Sequence, residues 1–344
     1  MTNKNTTPLR KKLFSLPFNS LLTKREVQER YLPFVKRYRE FLYDIYFSIS
    51  LPPFVNDAMG QGEINASRNR DIVRFLLSVQ EHSGVEISAT FNNVSVSPDW
   101  KNMELFIGNF RRYYEMGIRS VTLPHMHWML SGEIKRAFPK LKVKNTVLRK
   151  VNTPQQYADH CEAGFDVVNI DRVNIRDRDN LKRLKRAYDK YKRPMVILVN
   201  EGCRGQCPAM DEHYAVNCAV GAPYFKHDIS RFTCPLWSSQ DQAYHLKIAD
   251  MPPWREDFEE ILEYVQILKL HGRSEKNLLF YSMRIVQNYA EGKEHLTNPD
   301  FFLQRDYDKE KLAKWRKHTK NCKFECWNCN VCEELAASAR ELVF

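Results

Sequence analysis

The C-terminal part of the sequence carries four cysteines in a pattern that can bind a metal centre. Cys322, Cys326, Cys329 and Cys332 follow the spacing Cys-x3-Cys-x2-Cys-x2-Cys, which places four thiols within eleven residues. Thiolates are soft ligands that suit zinc or iron–sulfur clusters. A zinc site usually separates two cysteine pairs by a longer loop, whereas closely repeated Cys-x2-Cys steps are typical of a chain that wraps one cluster. These cysteines therefore predict a 4Fe–4S cluster, with zinc as the alternative.

A second and looser group of cysteines follows an apolar run at residues 195–199. Cys203 and Cys207 lie on one glycine-containing loop, and Cys234 can join them from further along the chain. Cys218 is the weakest of these predicted metal ligands, because a buried thiol at that position fits equally well. The sequence leaves open whether the two groups hold one cluster or two.

Polar side chains recur where predicted strands end. His125, His127, Asp171 and Glu201 are the candidates for proton transfer and substrate orientation, because histidine and carboxylate groups titrate or donate near neutral pH. Lys144 is predicted to hold an anionic substrate group. The other strand-end candidates for substrate contact are Asn145, Asn200 and His271, and Asn92 is expected to converge on the same face.

The elements that must position these residues alternate between strand and helix. Hydrophobic periodicity predicts eight strands, at residues 44–50, 85–91, 120–123, 141–148, 166–170, 195–199, 245–249 and 266–270. Helical patterns separate them, and the capping-box sequence beginning at Thr153 opens one of those helices. The fold class is therefore α/β, a (β/α)8 TIM-like barrel, in which strand ends converge on one face. A doubly wound open sheet is the alternative, although no Gly-x-Gly-x-x-Gly follows a strand.

This pattern predicts three parts of the chain. Residues 1–40 form a basic N-terminal extension, residues 41–291 form the barrel with a cysteine-bearing insertion at 201–244, and residues 292–344 form a cysteine-rich C-terminal tail. The net charge of 53 − 42 = +11 favours acidic partners, RNA among them. No apolar run approaches the roughly 20 residues that a membrane-spanning helix needs. We expect a cytoplasmic protein, in which disulfides are disfavoured and metal or redox roles for cysteine are favoured.

One stretch resembles a known family. Leu198-Val-Asn-Glu-Gly-Cys-Arg-Gly-Gln-Cys-Pro208, followed by His213, resembles the cysteine region of the U-thirty-two family, the collagenase-like peptidases. His245-Leu-Lys-Ile-Ala-Asp250 is similar to that family's Lys-Ile-Glu-Gly-Arg segment, but the arginine is absent here. The resemblance implies a TIM-like barrel with a 4Fe–4S cluster held by four cysteines. The role of the missing arginine either passes to Arg273, which we add to the predicted substrate contacts, or is absent in this chain.

Several functions are compatible with these residues. Members of the resembled family include oxygen-independent hydroxylases, so the favoured hypothesis is an iron–sulfur oxidoreductase acting on a small molecule or RNA, with an electron donor as partner. A radical S-adenosylmethionine-like enzyme is an alternative, because Cys322, Cys326 and Cys329 have its Cys-x3-Cys-x2-Cys spacing, although these cysteines follow the barrel. A peptidase is also compatible with the sequence, although no catalytic motif is present, and so is a zinc-stabilised RNA-binding protein without catalysis. The sequence specifies neither the substrate nor the oligomeric state.

Overall fold

The structure is a computed structural model of the chain. It describes residues 9–55, 66–218, 243–273, 275–296 and 307–339. The side chains of residues 66 and 216–218 lie outside that description, as does the predicted metal ligand Cys234.

Eight parallel strands form the centre of the described chain. They are β1 (Phe14–Pro17), β2 (Leu42–Ser48), β3 (Glu86–Thr90), β4 (Ser120–Thr122), β5 (Lys142–Lys144), β6 (Val168–Asn169), β7 (Met195–Leu198) and β8 (Ile267–Lys269). Their order is β5-β4-β3-β2-β1-β8-β7-β6. Parallel bridges from Lys144 to Val167 and from Val151 to Ile170 join the two ends of this sheet. The predicted (β/α)8 barrel is therefore confirmed as a nearly closed barrel.

The barrel begins earlier in the chain than predicted. β1 lies within residues 1–40, which we expected to be an N-terminal extension, and pairs with both β2 and β8. All four of its residues are buried, because the strand sits between two neighbours and is covered by helices. The predicted first strand at 44–50 is thus the second strand of the barrel.

The predicted strand at residues 245–249 is not present. Residues Tyr244–Leu246 form a 3₁₀ turn instead. The backbone carbonyls of Leu246 and Ile248 accept hydrogen bonds from the guanidinium of Arg176, at 2.7 and 2.8 Å. A side chain therefore satisfies backbone groups that a strand would have offered to a neighbouring strand. β1 takes the place of this strand in the count of eight.

Helices cover the outside of the barrel and continue into the C-terminal region. They are α1 (Lys24–Glu26), α2 (Leu32–Tyr38), α3 (Ala66–Ser83), α4 (Trp100–Met116), α5 (Met126–Leu130), α6 (Glu133–Ala137), α7 (Pro154–Glu162), α8 (Arg178–Tyr191), α9 (Met210–Cys218), α10 (Arg255–Ile261), α11 (Lys276–Ala290), α12 (Lys309–Thr319) and α13 (Val331–Ala336). Shorter 3₁₀ turns include Val147–Arg149, Arg172–Arg176 and Cys326–Asn328. The predicted capping box is present, because Thr153 and Gln156 each accept the other's backbone N–H at the start of α7.

The C-terminal region packs against the segment that follows the insertion. Trp315 on α12 is fully buried, and it clusters with Leu246, Trp254, Tyr307 and Leu335. This small apolar core is separate from the main core between the barrel and its helices. The cysteine-bearing region is therefore a docked unit with its own buried side chains. No helix in the described part of the chain is long and apolar enough to cross a membrane.

Candidate active site and cysteine cavity

A small cavity opens at the mouth of the barrel, where the parallel strands end. Its volume is about 40 Å³. The wall residues come from strand ends and from the loops that follow them, which is where barrel enzymes place their active sites. They are Tyr46, Asn92, Val147, Leu148, Leu198, Glu201, Tyr214, Lys269, His271 and Arg273. Of the residues predicted from strand ends, the structure brings Asn92, Glu201 and His271 together here, with Arg273, which was predicted from the family resemblance.

A buried arginine holds Glu201 at one side of this mouth. Arg172, in the 3₁₀ turn after β6, forms an ion pair with Glu201 and donates a hydrogen bond of 2.9 Å to the hydroxyl of Tyr214. That hydroxyl in turn donates to Glu201 over 3.1 Å. Burial opposes the charge on Arg172, but Tyr214, Cys203 and Asp171 raise its pKa, so the guanidinium stays protonated. Glu201 is thus fixed by two donors, a position that suits orientation of a substrate.

The backbone next to Glu201 is fixed as well. The carboxylate of Asp250 accepts hydrogen bonds from the backbone N–H groups of Glu201 and Gly202, both at 2.8 Å. Gly202 has a φ of +74°, in the left-handed region that glycine adopts without steric cost. The chain can therefore turn sharply here, which directs Glu201 to the mouth.

Two titratable groups at the end of β8 have strongly shifted pKa values. Burial lowers the pKa of Lys269 to about 7, and the charges of Arg273 and Lys144 add to the effect. Burial also lowers the pKa of His271 to about 3, with help from Arg273, Arg172 and Lys269. His271 is therefore neutral at pH 7, while Lys269 is divided between its charged and neutral forms. Groups with such shifts in a cleft are typical of functional sites.

Lys144 lies deeper in the barrel than predicted for a substrate contact. Its ammonium pairs with the carboxylate of Asp44 on β2, and both side chains are almost wholly buried, at 6% and 0% exposure. Together with Tyr43, Tyr46 and Lys269, Lys144 borders a void of about 10 Å³ inside the barrel. Because its charge is already paired, Lys144 acts on the mouth mainly through its electrostatic effect on Lys269.

Asn145 and Asn200 are structural hydrogen-bonding groups. Asn145 exchanges hydrogen bonds with Asn169, including 3.0 Å from its amide to the Asn169 carbonyl, which links β5 to β6 where the ladder is incomplete. Asn200 donates to Ser282 and accepts the backbone N–H of His271, both at 2.8 Å. Asn200 thereby sets the position of the His271 backbone. Neither asparagine lines the mouth cavity.

Three of the residues predicted to transfer protons lie elsewhere. His125 is buried between Phe54 and Trp128, and burial followed by the charge of Arg149 lowers its pKa to about 4. His127 is exposed on α5. Asp171 accepts the backbone N–H of Val173 and caps the 3₁₀ turn that carries Arg172. Sequence position placed all three near strand ends, but side-chain direction takes them away from the mouth cavity.

The four C-terminal cysteines line one cavity. Cys322, Cys326, Cys329 and Cys332 surround a volume of about 130 Å³, and none of them forms a disulfide. Cys332 is buried and the other three are partly exposed. Within the described chain, no three His, Cys, Asp or Glu side chains converge as ligands of a single metal ion. The cysteines thus border a shared space without meeting at one point.

Basic groups border this cysteine cavity. Arg176 and Lys247 are among its wall residues. The Nη1 of Arg176 lies 4.0 Å from the Sγ of Cys322, and Lys247 forms an ion pair with Glu333. Burial raises the pKa of Cys326, while Lys247, Arg204 and Arg176 act in the opposite direction. The wall also includes Glu325 and Glu333, and burial raises the pKa of Cys332 to about 11, so the basic groups offset only part of what disfavours the thiolate form.

The barrel and the cysteine region meet at the loop after β7. A Cβ on Gly205 would overlap the ring of Phe324, so the absence of a side chain lets the two segments approach. Gln206 donates a hydrogen bond of 2.8 Å to the carbonyl of Lys323, and the guanidinium of Arg176 lies over the Phe324 ring at 4.9 Å. The cysteine cavity is consequently adjacent to the loop that carries Glu201.

Cys203 and Cys207 do not line the cysteine cavity. The backbone carbonyl of Cys203 accepts the N–H of Ala249, and Cys207 packs near Met210 and Tyr214. Cys218 ends α9, and its side chain lies outside the description together with Cys234. The looser ligand set of Cys203, Cys207, Cys218 and Cys234 therefore stays a prediction, and neither Cys203 nor Cys207 borders the cavity of the C-terminal four.

Sequence reasoning missed four side chains that shape these cavities. Lys269 lies within a predicted strand and was therefore not considered as a strand-end residue. A lysine in an apolar strand nevertheless indicates a functional or paired group, because lysine is rarely buried unless its charge has a partner. Arg172 and Arg176 lie in a short turn without a motif. Tyr46 is one of many aromatic residues and has no distinguishing spacing.

Comparisons with known proteins show similarity of structure only. No family model and no curated protein matches the sequence. Among solved structures, the U32 peptidase Mk0906 has 12% identity and a TM-score of 0.49, with 80% of this chain and 98% of that chain covered. The O-GlcNAc hydrolase of Thermobaculum terrenum has 10% identity and a TM-score of 0.46, with 92% and 68% covered. Membership of the resembled family stays a prediction.

Proposed function

We propose that the protein is an iron–sulfur enzyme whose barrel mouth binds an organic substrate. The observation that carries this proposal is the shared cavity of Cys322, Cys326, Cys329 and Cys332 beside the barrel. These four thiols would hold a 4Fe–4S cluster, which when bound supplies one-electron redox chemistry. The reaction that we favour is an oxygen-independent hydroxylation of a small molecule or RNA, which rests on the family resemblance.

The size of the cavity favours a cluster over a single zinc ion. Tetrahedral zinc with Zn–S bonds of about 2.3 Å requires its four sulfurs to lie roughly 3.8 Å from one another. The described cysteines do not converge in this way. A cavity of about 130 Å³ exceeds the roughly 10–15 Å³ that one water needs, so it leaves room for several atoms between the thiols.

The surrounding charges support the same assignment. Four thiolates and a cluster carry net negative charge, and Arg176 would offset part of it, whereas Lys247 is paired with Glu333. The 3₁₀ turn from Arg172 to Arg176 runs from the mouth to the cysteine cavity, and at about 2.0 Å per residue it spans roughly 8 Å. A redox centre in the cysteine cavity would therefore lie close to a substrate in the mouth. Cys203 and Cys207 are left for a second cluster or for structural roles.

Metal analysis of protein purified without oxygen tests this proposal. About four irons and four acid-labile sulfides per chain are expected for one cluster, and about eight of each for two. Cys326→Ala should lose the cluster of the C-terminal cysteines, whereas the matched control Cys161→Ala, at a buried thiol away from both groups, should keep it. Zinc without sulfide would overturn the proposal and favour a zinc-stabilised binding protein, which salt-sensitive RNA binding without turnover would support.

A further inference from the structure

The end of β8 presents three basic residues to the mouth of the barrel. Lys269, His271 and Arg273 are spaced two residues apart, and all three line the same cavity. β8 itself ends at Lys269, and Gly272, with a φ of +129°, bends the chain between His271 and Arg273, so both side chains reach the wall from the turn after the strand. The Lys269 ammonium lies over the ring of Tyr46, with its Nζ 4.4 Å from the ring centroid.

His271 lacks hydrogen-bond partners within the described protein. Both ring nitrogens are buried, and neither has a partner among the described residues. Leaving a buried polar atom unsatisfied costs about 1–3 kcal/mol, so native structures almost always supply a partner. A neutral imidazole has one N–H to donate and one nitrogen to accept. The geometry therefore has a place for a bound polar group.

The carboxylates near Lys269 are already engaged by other cations. Asp44 on β2 pairs with Lys144 on β5, and Glu201 after β7 pairs with Arg172 after β6. No ion pair found among the described residues includes Lys269.

The remaining groups that face Lys269 do not add negative charge. Burial raises the pKa of Tyr214 to about 12 and that of Tyr46 well above its ordinary value, so both phenols are neutral. His271 is neutral as well, and Arg273 is positive. Among the described residues, the groups that face Lys269 thus supply no carboxylate that is not already paired with another cation.

We infer that the mouth binds the oxyanion group of a small organic substrate, a carboxylate or a phosphate, through Lys269, His271 and Arg273. This deepens the proposed function, on which it rests only in taking the barrel mouth as the substrate site. Arg273 supplies a permanent charge, the His271 N–H supplies a hydrogen bond, and the Lys269 ammonium supplies the second charge. The cavity is large enough only for the anionic end of a substrate, and the rest of the substrate would extend toward solvent.

Binding of such an anion is coupled to a proton. The free site has a Lys269 pKa of about 7, so much of the amine is neutral above that pH. A bound anion favours the ammonium form and raises the pKa. Above pH 7, each anion that binds should therefore be accompanied by the uptake of at most one proton. The affinity for the anion should fall by up to tenfold for each pH unit above about 7.

Isothermal titration of the full-length protein tests this site. Acetate and inorganic phosphate are the probes for the two kinds of oxyanion, and acetamide is the neutral analogue of acetate. Titrations at pH 8 in HEPES and in Tris, which differ in ionisation heat, measure the protons taken up. We expect one anion to bind at one site with proton uptake, while acetamide gives no heat of binding. Absence of binding by both anions at 10 mM would overturn the inference.

Two variants distinguish the site from a general charge effect. Lys269→Met should weaken anion binding at least tenfold, whereas the matched control Lys142→Met, which removes a partly exposed lysine paired with Glu86, should leave it unchanged. Lys269→Arg should keep binding but abolish proton uptake, and it serves if the methionine variant fails to fold. Equal affinity of Lys269→Met and the unchanged protein would also overturn the inference.

Iron and sulfide are measured on the same preparation. Anion binding by protein that contains no iron would refute the cluster proposal and support the anion site. Iron and sulfide without anion binding would refute only the anion site.

Discussion

The ion pair inside the barrel gives a prediction of large magnitude. Lys144→Met removes the ammonium and leaves the Asp44 carboxylate at 0% exposure, with Oδ1 already lacking a hydrogen-bond partner among the described residues. Removing one partner of a buried ion pair typically costs about 3–5 kcal/mol, because an uncompensated charge stays in a low-dielectric interior. That loss is a large share of the roughly 5–15 kcal/mol by which a native domain is stable.

A double variant separates the pair from the packing of each side chain. Asp44→Leu with Lys144→Met replaces both charges by apolar groups, and such replacements are often neutral or stabilising. We therefore expect the double variant to recover most of the stability that Lys144→Met loses. The control is Lys142→Met on the same strand, whose pair with Glu86 is 35% and 31% exposed and should contribute less than about 1 kcal/mol.

Urea unfolding followed by circular dichroism measures these differences. The midpoint concentration and the slope of the transition give the change in free energy of unfolding for each variant. The reasoning is refuted if Lys144→Met loses no more stability than Lys142→Met, or if the double variant is no more stable than Lys144→Met. Either result would mean that water reaches the pair.

Substitutions in this ion pair should also shift the pKa of Lys269, in opposite directions for the two partners. Lys144 lowers the pKa of Lys269 and Asp44 raises it. Lys144→Met should therefore raise the Lys269 pKa above about 7, and Asp44→Asn should lower it. Heteronuclear NMR of ¹³C-labelled lysine measures both changes.

Three further predictions concern packing and titration. Trp315→Ala should cost about 3–5 kcal/mol in the stability of the cysteine region and lower its metal content, whereas Trp327→Ala, at 86% exposure, should change neither. Gly205→Ala should lower the unfolding midpoint, because the added methyl group overlaps the Phe324 ring. In the Phe324→Ala background the overlap is absent, so adding Gly205→Ala there should leave the midpoint almost unchanged. His125 has a folded-state pKa of about 4, below its ordinary value of 6.5, so stability should fall as pH drops through this range, and His125→Phe should lessen that fall in acid-unfolding curves.

Sequence periodicity predicted the barrel well where strands are long or buried on both sides. The run at β7 and the strand at β3 were placed within one or two residues. β1 was missed because it ends in proline and follows a basic segment. Residues 245–249 were assigned as a strand because apolar residues alternate there, but Arg176 satisfies their carbonyls and the chain packs against Trp315.

The site was predicted less well, because strand position does not fix which way a side chain points. Glu201 and His271 follow the ends of β7 and β8 and reach the mouth, while His125 follows β4 and turns into an aromatic cluster. Lys269 belongs to the strand itself, so a search limited to strand ends passes over it. Arg172 is recognised only through its three-dimensional pairing with Glu201.

The arrangement of the two cavities argues that the cysteine region belongs to the active unit of the protein. One short turn carries Arg172 at the barrel mouth and Arg176 at the cysteine cavity, and one loop carries Glu201 at the mouth and Gly205 against Phe324. Because both connections are short and hydrogen-bonded, loss of the docked region would release the loop that positions Glu201. A variant that unfolds only the C-terminal region should consequently release Glu201 from its position at the mouth, even though none of the region's described residues lines that cavity.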